Sequence, residues 1–420
     1  MRTWLFTVRL RMTSAGGVGG PERRPVGPAE RVAHRIPLRR DHLDRVVLPG
    51  TTVAGSLRAH CADGGLPGEL FGSPPEAEKK MPSLIEVLGV RTHTASEVTT
   101  TMRVSLDRHR GAARPHHLFS VEQLAPGAEF DVHLRWNDAD EDQLESFRAV
   151  LRTWRPRLGR GTSLGAGACA VVGIGEADYD LATVNGLLDW LGSGSVECYP
   201  TPVALTAEPP EPESVLDVWL RIVDGVHVGT GSHEPDSREP EIAAVVTRDH
   251  QPMIPGSSLK GVLRSRVEYI CRVLGHLACD RGDCGDCIPC GLFGWAPAPG
   301  AAASGARGRI AVGDTRIEQA RCQVRHHVAL DRVTAGARPE LLYARRVVTA
   351  GRFRVRIEPL RPLAPVETAL LHAVIADLDA GLVGLGGATT RGLGTARVDD
   401  ETWQTPNLAA LAALVAGGVA

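Results

Sequence analysis

An α+β chain of two tandem domains, each a βαββαβ unit of ferredoxin-like order, is predicted by three observations. Four motifs recur in the same order in the two halves, the halves share one succession of strand-like and helix-like patterns, and a Pro/Glu-rich stretch separates them. At 420 residues the chain has room for two domains, each with its own core.

The repeat is legible residue by residue. LPGTTVAGSLR (48–58) returns as IPGSSLKGVLR (254–264), Leu70-Phe71-Gly72 as Leu292-Phe293-Gly294, VSLDRHRGAARP (104–115) as VALDRVTAGARP (328–339), and LGRGTSLGAG (158–167) as LGGATTRGLG (385–394). A period of more than 200 residues means duplicated domains and not a solenoid.

Within each copy the elements follow in turn. An alternating run opens it, Leu5–Leu10 in the first and Val218–Ile222 in the second. The PG[ST][ST] segment then starts a helix whose apolar face in the second copy is Leu259, Val262, Leu263, Val267, Ile270 and Leu274, with Ser257 or Ser258 as the expected cap. Strand-like Phe130–Leu134 and Phe353–Ile357 come next, then helices over 139–154 and 365–380, then the glycine-rich loop and a short last strand. This reading divides the chain into a domain at 1–178, a helix and linker at 179–214, a second domain at 215–400 and a tail helix at 401–420.

A formal net charge of -2 excludes a bulk polycation, so any nucleic-acid binding must use local basic faces. Residues 22–45, with seven arginines, are either such a face or a solvated loop. No stretch has the roughly 18 apolar residues a membrane span needs, and Arg9 and Arg11 interrupt the opening run before it reaches signal-peptide length. A cytoplasmic protein with no membrane partner is the expectation.

Cys279, Cys284, Cys287 and Cys290 in CDRGDCGDCIPC have the spacing of a structural tetrathiolate Zn2+ site, within a knuckle at 271–294. The segment is too short for a core of its own, so metal would supply its folding energy. The first copy has only Cys61 there and should lack metal. Cys271 is expected to be buried, and His276 is an alternative ligand.

The ordered motifs IPGSSLKGVLR, CGLFG, ALDRVTAGARPELLY and GLGGATTRGLG resemble the RAMP superfamily, the repeat-associated proteins of CRISPR effector complexes. The resemblance covers roughly 1–175 and 215–398 and is fuller in the second copy. It implies two RRM-like RAMP domains and a type III backbone subunit that binds guide RNA (crRNA), frames target RNA and assembles with other type III effector subunits.

Residue chemistry adds its own reasons. Glycines let the backbone approach a phosphate, and hydroxyls and arginines add donors, which nominates Arg160, Gly161, Thr162, Ser163 and Gly165, and Gly387, Thr389, Thr390, Arg391 and Gly392. The helix starts Thr51-Thr52 and Ser257-Ser258 are expected anion sites, with Arg58, Lys260 and Arg264 on the same helices. Tyr343 and Phe119 could stack on bases but are read as core. Asp107-Arg108 and Asp331-Arg332 are either near RNA or internal ion pairs. Family members can cut target RNA with an aspartate upstream of PGSS and a divalent metal; here the matching positions are Arg35 and Ala243. That leaves Asp236, Glu239 and Glu241 as weak catalytic candidates, and His34, His116 and His117 as weak candidates for guide processing.

Overall fold

Strand β1 (Arg2–Met12) runs through the middle of the first sheet, buried on both faces. It pairs antiparallel with β5 (Glu129–Asn137) on one side and β6 (Cys169–Asp180) on the other, and β2 (Ile85–Thr94) adds beyond β5. The register sets Phe6 opposite Leu134, Val8 opposite Val132 and Leu10 opposite Phe130, so one parity of both strands points into a single core. Helix α1 (Gly50–Asp63) brings Val53 and Leu57 to that core, and α2 (Glu141–Thr153) brings Leu144, Phe147 and Leu151. The Phe147 ring meets both Phe6 and Trp136 edge-on at 5.5 Å. Asp140 caps α2, its carboxylate accepting from the Gln143 N–H. A hairpin of β3 (Val98–Asp107) and β4 (Ala112–Leu124) forms a separate sheet with His34–Ile36 and Arg24–Pro25.

The second unit repeats the plan. Strand β7 (Leu216–Ile222) lies between β12 (Ala337–Pro359) and β13 (Ala396–Val398), and β10 (Ile310–Val312) pairs with β12. With added strands set aside, both sheets have the order second–third–first–fourth, all antiparallel. Helices α4 (Gly256–Val273) and α6 (Pro365–Asp379) bury Leu259, Leu263, Val267, Leu370, Leu371, Val374 and Ile375 against Val218, Leu220, Phe353 and Val355. The 23-residue β12 outruns the core, and its first half forms a long hairpin with β11 (Glu318–Leu330). β8 (Gly229–His233) and β9 (Ile242–Val245) extend the sheet past β12.

In this computed structural model all residues are described except 21–23, 26–33, 74–78, 96, 108–111, 193–198, 207–210, 212, 235–240, 298–299, 301–303 and 418–420. Two compact units emerge: Met1–Val104, Pro115–Thr162 and Ala166–Glu211 in one, Ser105–Arg114, Ser163–Gly165 and Pro212–Ala420 in the other. Two expectations change. The stretch read as helix and linker is not all linker after helix α3 (Val184–Gly192), because Val203–Ala204 pair with β6 and Tyr199 stands 4.7 Å from the His133 ring. The last core strand of the first copy is 12 residues long, not short; only β13 is. Among the described residues no helix is long and apolar enough to cross a membrane.

Candidate nucleic-acid interface and metal centre

The two glycine-rich loops close in the same way. The Leu158 N–H bonds the Gly167 carbonyl and the Leu385 N–H the Gly394 carbonyl, while Gly167 and Gly394 donate to Ala15 and Gly225. Each loop carries one turn of 3-10 helix, Thr162–Leu164 and Thr389–Arg391. Glycine is required where backbones touch: Gly159 has φ +92°, and a Cβ there would lie 1.9 Å from the Gly17 oxygen. Several loop N–H groups are therefore engaged with protein and not held for phosphate. The loops differ in exposure. Thr162 is buried, while Thr389, Thr390, Arg391 and Gly392 are exposed; Ser163, Gly161 and Gly165 are half-buried, and Gly387 is exposed. Arg160 lines a small hollow with Gly16, Gly17, Ile36 and Glu122. Gly159→Ala should cost unit 1 about 2–4 kcal/mol in urea unfolding, whereas Gly261→Ala, on an open face of α4, should stabilise by about 0.5–1 kcal/mol.

At the helix starts the expectation needs correction. Ser257 and Ser258 do not cap α4; the N-cap is Pro255, with no side-chain cap bond. Instead the Asp314 carboxylate accepts from the Gly256 N–H at 2.9 Å and from Arg248 at 2.7 Å. A carboxylate of the chain thus occupies the place expected for an anion. Thr51 and Thr52 lie in the first turn of α1, which likewise has no side-chain cap bond. Arg58 and Arg264 turn inward, Arg58 to the Gly72 carbonyl at 2.8 Å and Arg264 to the Gly294 carbonyl at 2.7 Å. Lys260 is buried at 8% exposure, and burial, with Arg264 and Arg307 nearby, lowers its pKa to about 8.

A cationic cluster missed in the sequence lies at the root of the β11–β12 hairpin. Pairing sets Arg325 opposite Arg345 and His327 opposite Tyr343. The His327 and Tyr343 rings stack at 5.1 Å, Arg391 donates to the Tyr343 hydroxyl at 3.0 Å, and Arg345 stands over the same ring. Tyr343 is therefore half-buried and polar-bonded, not core. Among the described residues Arg345 Nε and His327 Nε2 are buried without partners. Burial, then Arg345, Arg391 and Arg325, hold the His327 pKa low, so the ring stays neutral under the surrounding positive charge. The signal was RHH facing YARR, which only strand register reveals.

Other candidates are placed as follows. Asp331 accepts from the Val333 and Thr334 N–H groups at the hairpin tip, a turn role and not an ion pair with Arg332. Glu241 pairs with His233 at 2.8 Å, and Ala243 lies in β9 opposite His233. Arg35 sits in the short strand beside β4, as does His34, opposite the half-buried Phe119. Asp236, Glu239 and Arg108 lie outside the described residues, as do the side chains of Asp107, His116 and His117.

The cysteine centre is compact. Cys287 caps the short helix α5 (Ile288–Phe293) and Cys290 lies in its first turn, while Cys279 and Cys284 come from the preceding loop. All four Sγ atoms lie within 4.8 Å of one another, with separations of 3.4, 3.8 and 3.9 Å around Cys279 and Cys290. A disulfide needs about 2.05 Å, whereas thiolates about 2.3 Å from one ion stand roughly 3.8 Å apart at tetrahedral corners. The donors fit a metal ion. Burial and neighbouring thiols push Cys290 up to about 12; Cys279, where burial is outweighed by N–H donors from Cys284 and Asp283 and by neighbouring thiols, falls to about 6. His276 is not a ligand, its Nε2 being 2.6 Å from the Leu414 carbonyl. Cys271 is buried on α4, its thiol raised to about 11, mainly by burial.

No curated protein matches the chain. The RAMP superfamily model matches residues 11–170 and 219–397, one stretch for each repeat. With the duplicated sheets, the paired glycine loops and this match over most of its length, the chain belongs to the RAMP superfamily, whose members have a CRISPR-associated role in binding RNA.

Proposed function

We propose that the chain is a guide-RNA-binding backbone subunit of a type III CRISPR ribonucleoprotein, framing target RNA for antiviral defence beside other effector subunits. The observation that carries this reading is the cluster of Arg325, Arg345 and Arg391 around His327 and Tyr343, beside an exposed glycine-rich loop. Positive charge with no carboxylate partner among the described residues, around a stacked aromatic pair, suits a sugar–phosphate backbone passing a base. Both repeats read as ferredoxin-like, and shared strand order and helix placement support this. The domain division is proposed at 1–178 and 215–400. The ion proposed at the cysteines is a structural Zn2+, since four thiolates leave no open position. Cleavage is not part of the proposal: Glu241 is engaged with His233 and the matched positions are Arg35 and Ala243.

Fluorescence anisotropy with single-stranded RNA tests the reading. Binding should be saturable, stronger for RNA than for DNA of the same sequence, and weaken linearly in log–log terms with salt. No saturable binding at low salt would sink it.

A further inference from the structure

We infer that Arg264 is a positioning residue of the metal centre, holding the Cys290 thiolate by an N–H···S bond and offsetting the centre's negative charge. The inference rests on the reading that the four cysteines hold a metal. Three acceptors fix the guanidinium: Nε donates to Glu268 Oε1 at 2.9 Å, Nη1 to the Gly294 carbonyl at 2.7 Å, and Nη2 lies 3.7 Å from Cys290 Sγ. Its side chain is only 17% exposed, so the fork is held in place and not sampled.

Comparison of the repeats separates two jobs. Arg58, the matching residue of the first copy, keeps the carbonyl bond to the Leu-Phe-Gly turn through Gly72. The arginine anchor therefore does not depend on metal. What the second copy adds is the sulfur contact, together with two buried charged residues on the same helix. Lys260 stands where the first copy has Ala54, and Glu268 where it has Ala62. Lys260 and Glu268 cancel in net charge, so the cation that faces the centre is Arg264. Four thiolates around a divalent ion leave two negative charges in a half-buried place, which is costly without cations nearby. Glu268 is shared with Arg272 at 3.8 Å, so it does not consume the Arg264 charge alone. The metal-bearing copy is thus the one whose first helix carries extra buried charge.

The test uses the full chain with zinc, and with cobalt in its place. Arg264→Met should transfer zinc to a chelator about 10–100-fold faster than the unchanged protein. The thiolate-to-cobalt charge-transfer band should move to longer wavelength, because a thiolate without its hydrogen bond gives up electron density more readily. Arg264→Lys, which keeps charge but not the fork, should fall between, and it serves if the Met variant does not fold. Arg58→Met should change neither reading. Zinc-replete Arg264 variants with unchanged chelator kinetics and cobalt spectrum would overturn the inference. Absence of metal from the unchanged protein would overturn the underlying reading first, and this shows before any variant is made.

Discussion

Replacing Cys290 with Ser should release the metal and destabilise unit 2 by about 3–6 kcal/mol. Cys290 is fully buried in α5, two and three residues before Leu292 and Phe293, which belong to the second core. Among the described residues the loop from Cys279 to Cys287 adds no side chain to that core, so with a ligand gone the order of α5 rests mainly on those two side chains, with Ile288 packed beside them. Loss of a buried Leu and a buried Phe forfeits about 1.5–3 kcal/mol each. The metal's own contribution, about 10–16 kcal/mol in isolated zinc peptides, shrinks here because the rest of the unit folds on another core. Elemental analysis should fall from one zinc per chain to none, and the melting of unit 2 should shift to lower temperature. Cys61→Ser in the first copy should leave the zinc content unchanged. An unshifted melt with zinc retained would refute the ligand assignment.

Duplication was readable because it is written as matched strings, and the glycine loops because their geometry demands glycine. Positive φ at Gly159, Gly165, Gly167, Gly386, Gly392 and Gly394 follows from the motif itself. The cysteine spacing was equally direct, since four ligands so close in sequence have few ways to fold except around one ion. What sequence could not convey was direction. Arg58 and Arg264 look like solvent-facing helix charges until the Leu-Phe-Gly turn is seen to place a carbonyl beneath each. The helix start at Pro255-Gly256 looks open until Asp314, 58 residues away, is found on it. Arg325, His327, Tyr343 and Arg345 are unremarkable as letters; they become a cluster through cross-strand pairing, a long-range fact set by register.

The second large effect expected concerns RNA affinity. The double variant Arg345→Ala/Arg391→Ala should bind single-stranded RNA roughly thirtyfold more weakly at low salt, about 2 kcal/mol. Its log–log salt slope should be shallower by about 1.4, some 0.7 for each phosphate contact on a single strand. Folding stability should not fall in step. The Arg345 pKa is lowered by burial and by Arg391, so the two guanidinium groups repel in the free protein and their removal relieves that strain. Arg58→Met, by contrast, should leave the salt slope unchanged, because that guanidinium is bonded inside the protein. Asp314→Asn gives the opposite sign. It removes a negative charge from the start of α4 while keeping an oxygen to accept from Gly256, and should raise RNA affinity about two- to fivefold, the 0.3–1 kcal/mol of a helix-end charge. A purely structural carboxylate, once neutralised, would lower stability and leave RNA binding alone. Tighter binding therefore requires phosphate near that helix start, and an unchanged affinity would mean that the RNA path lies elsewhere.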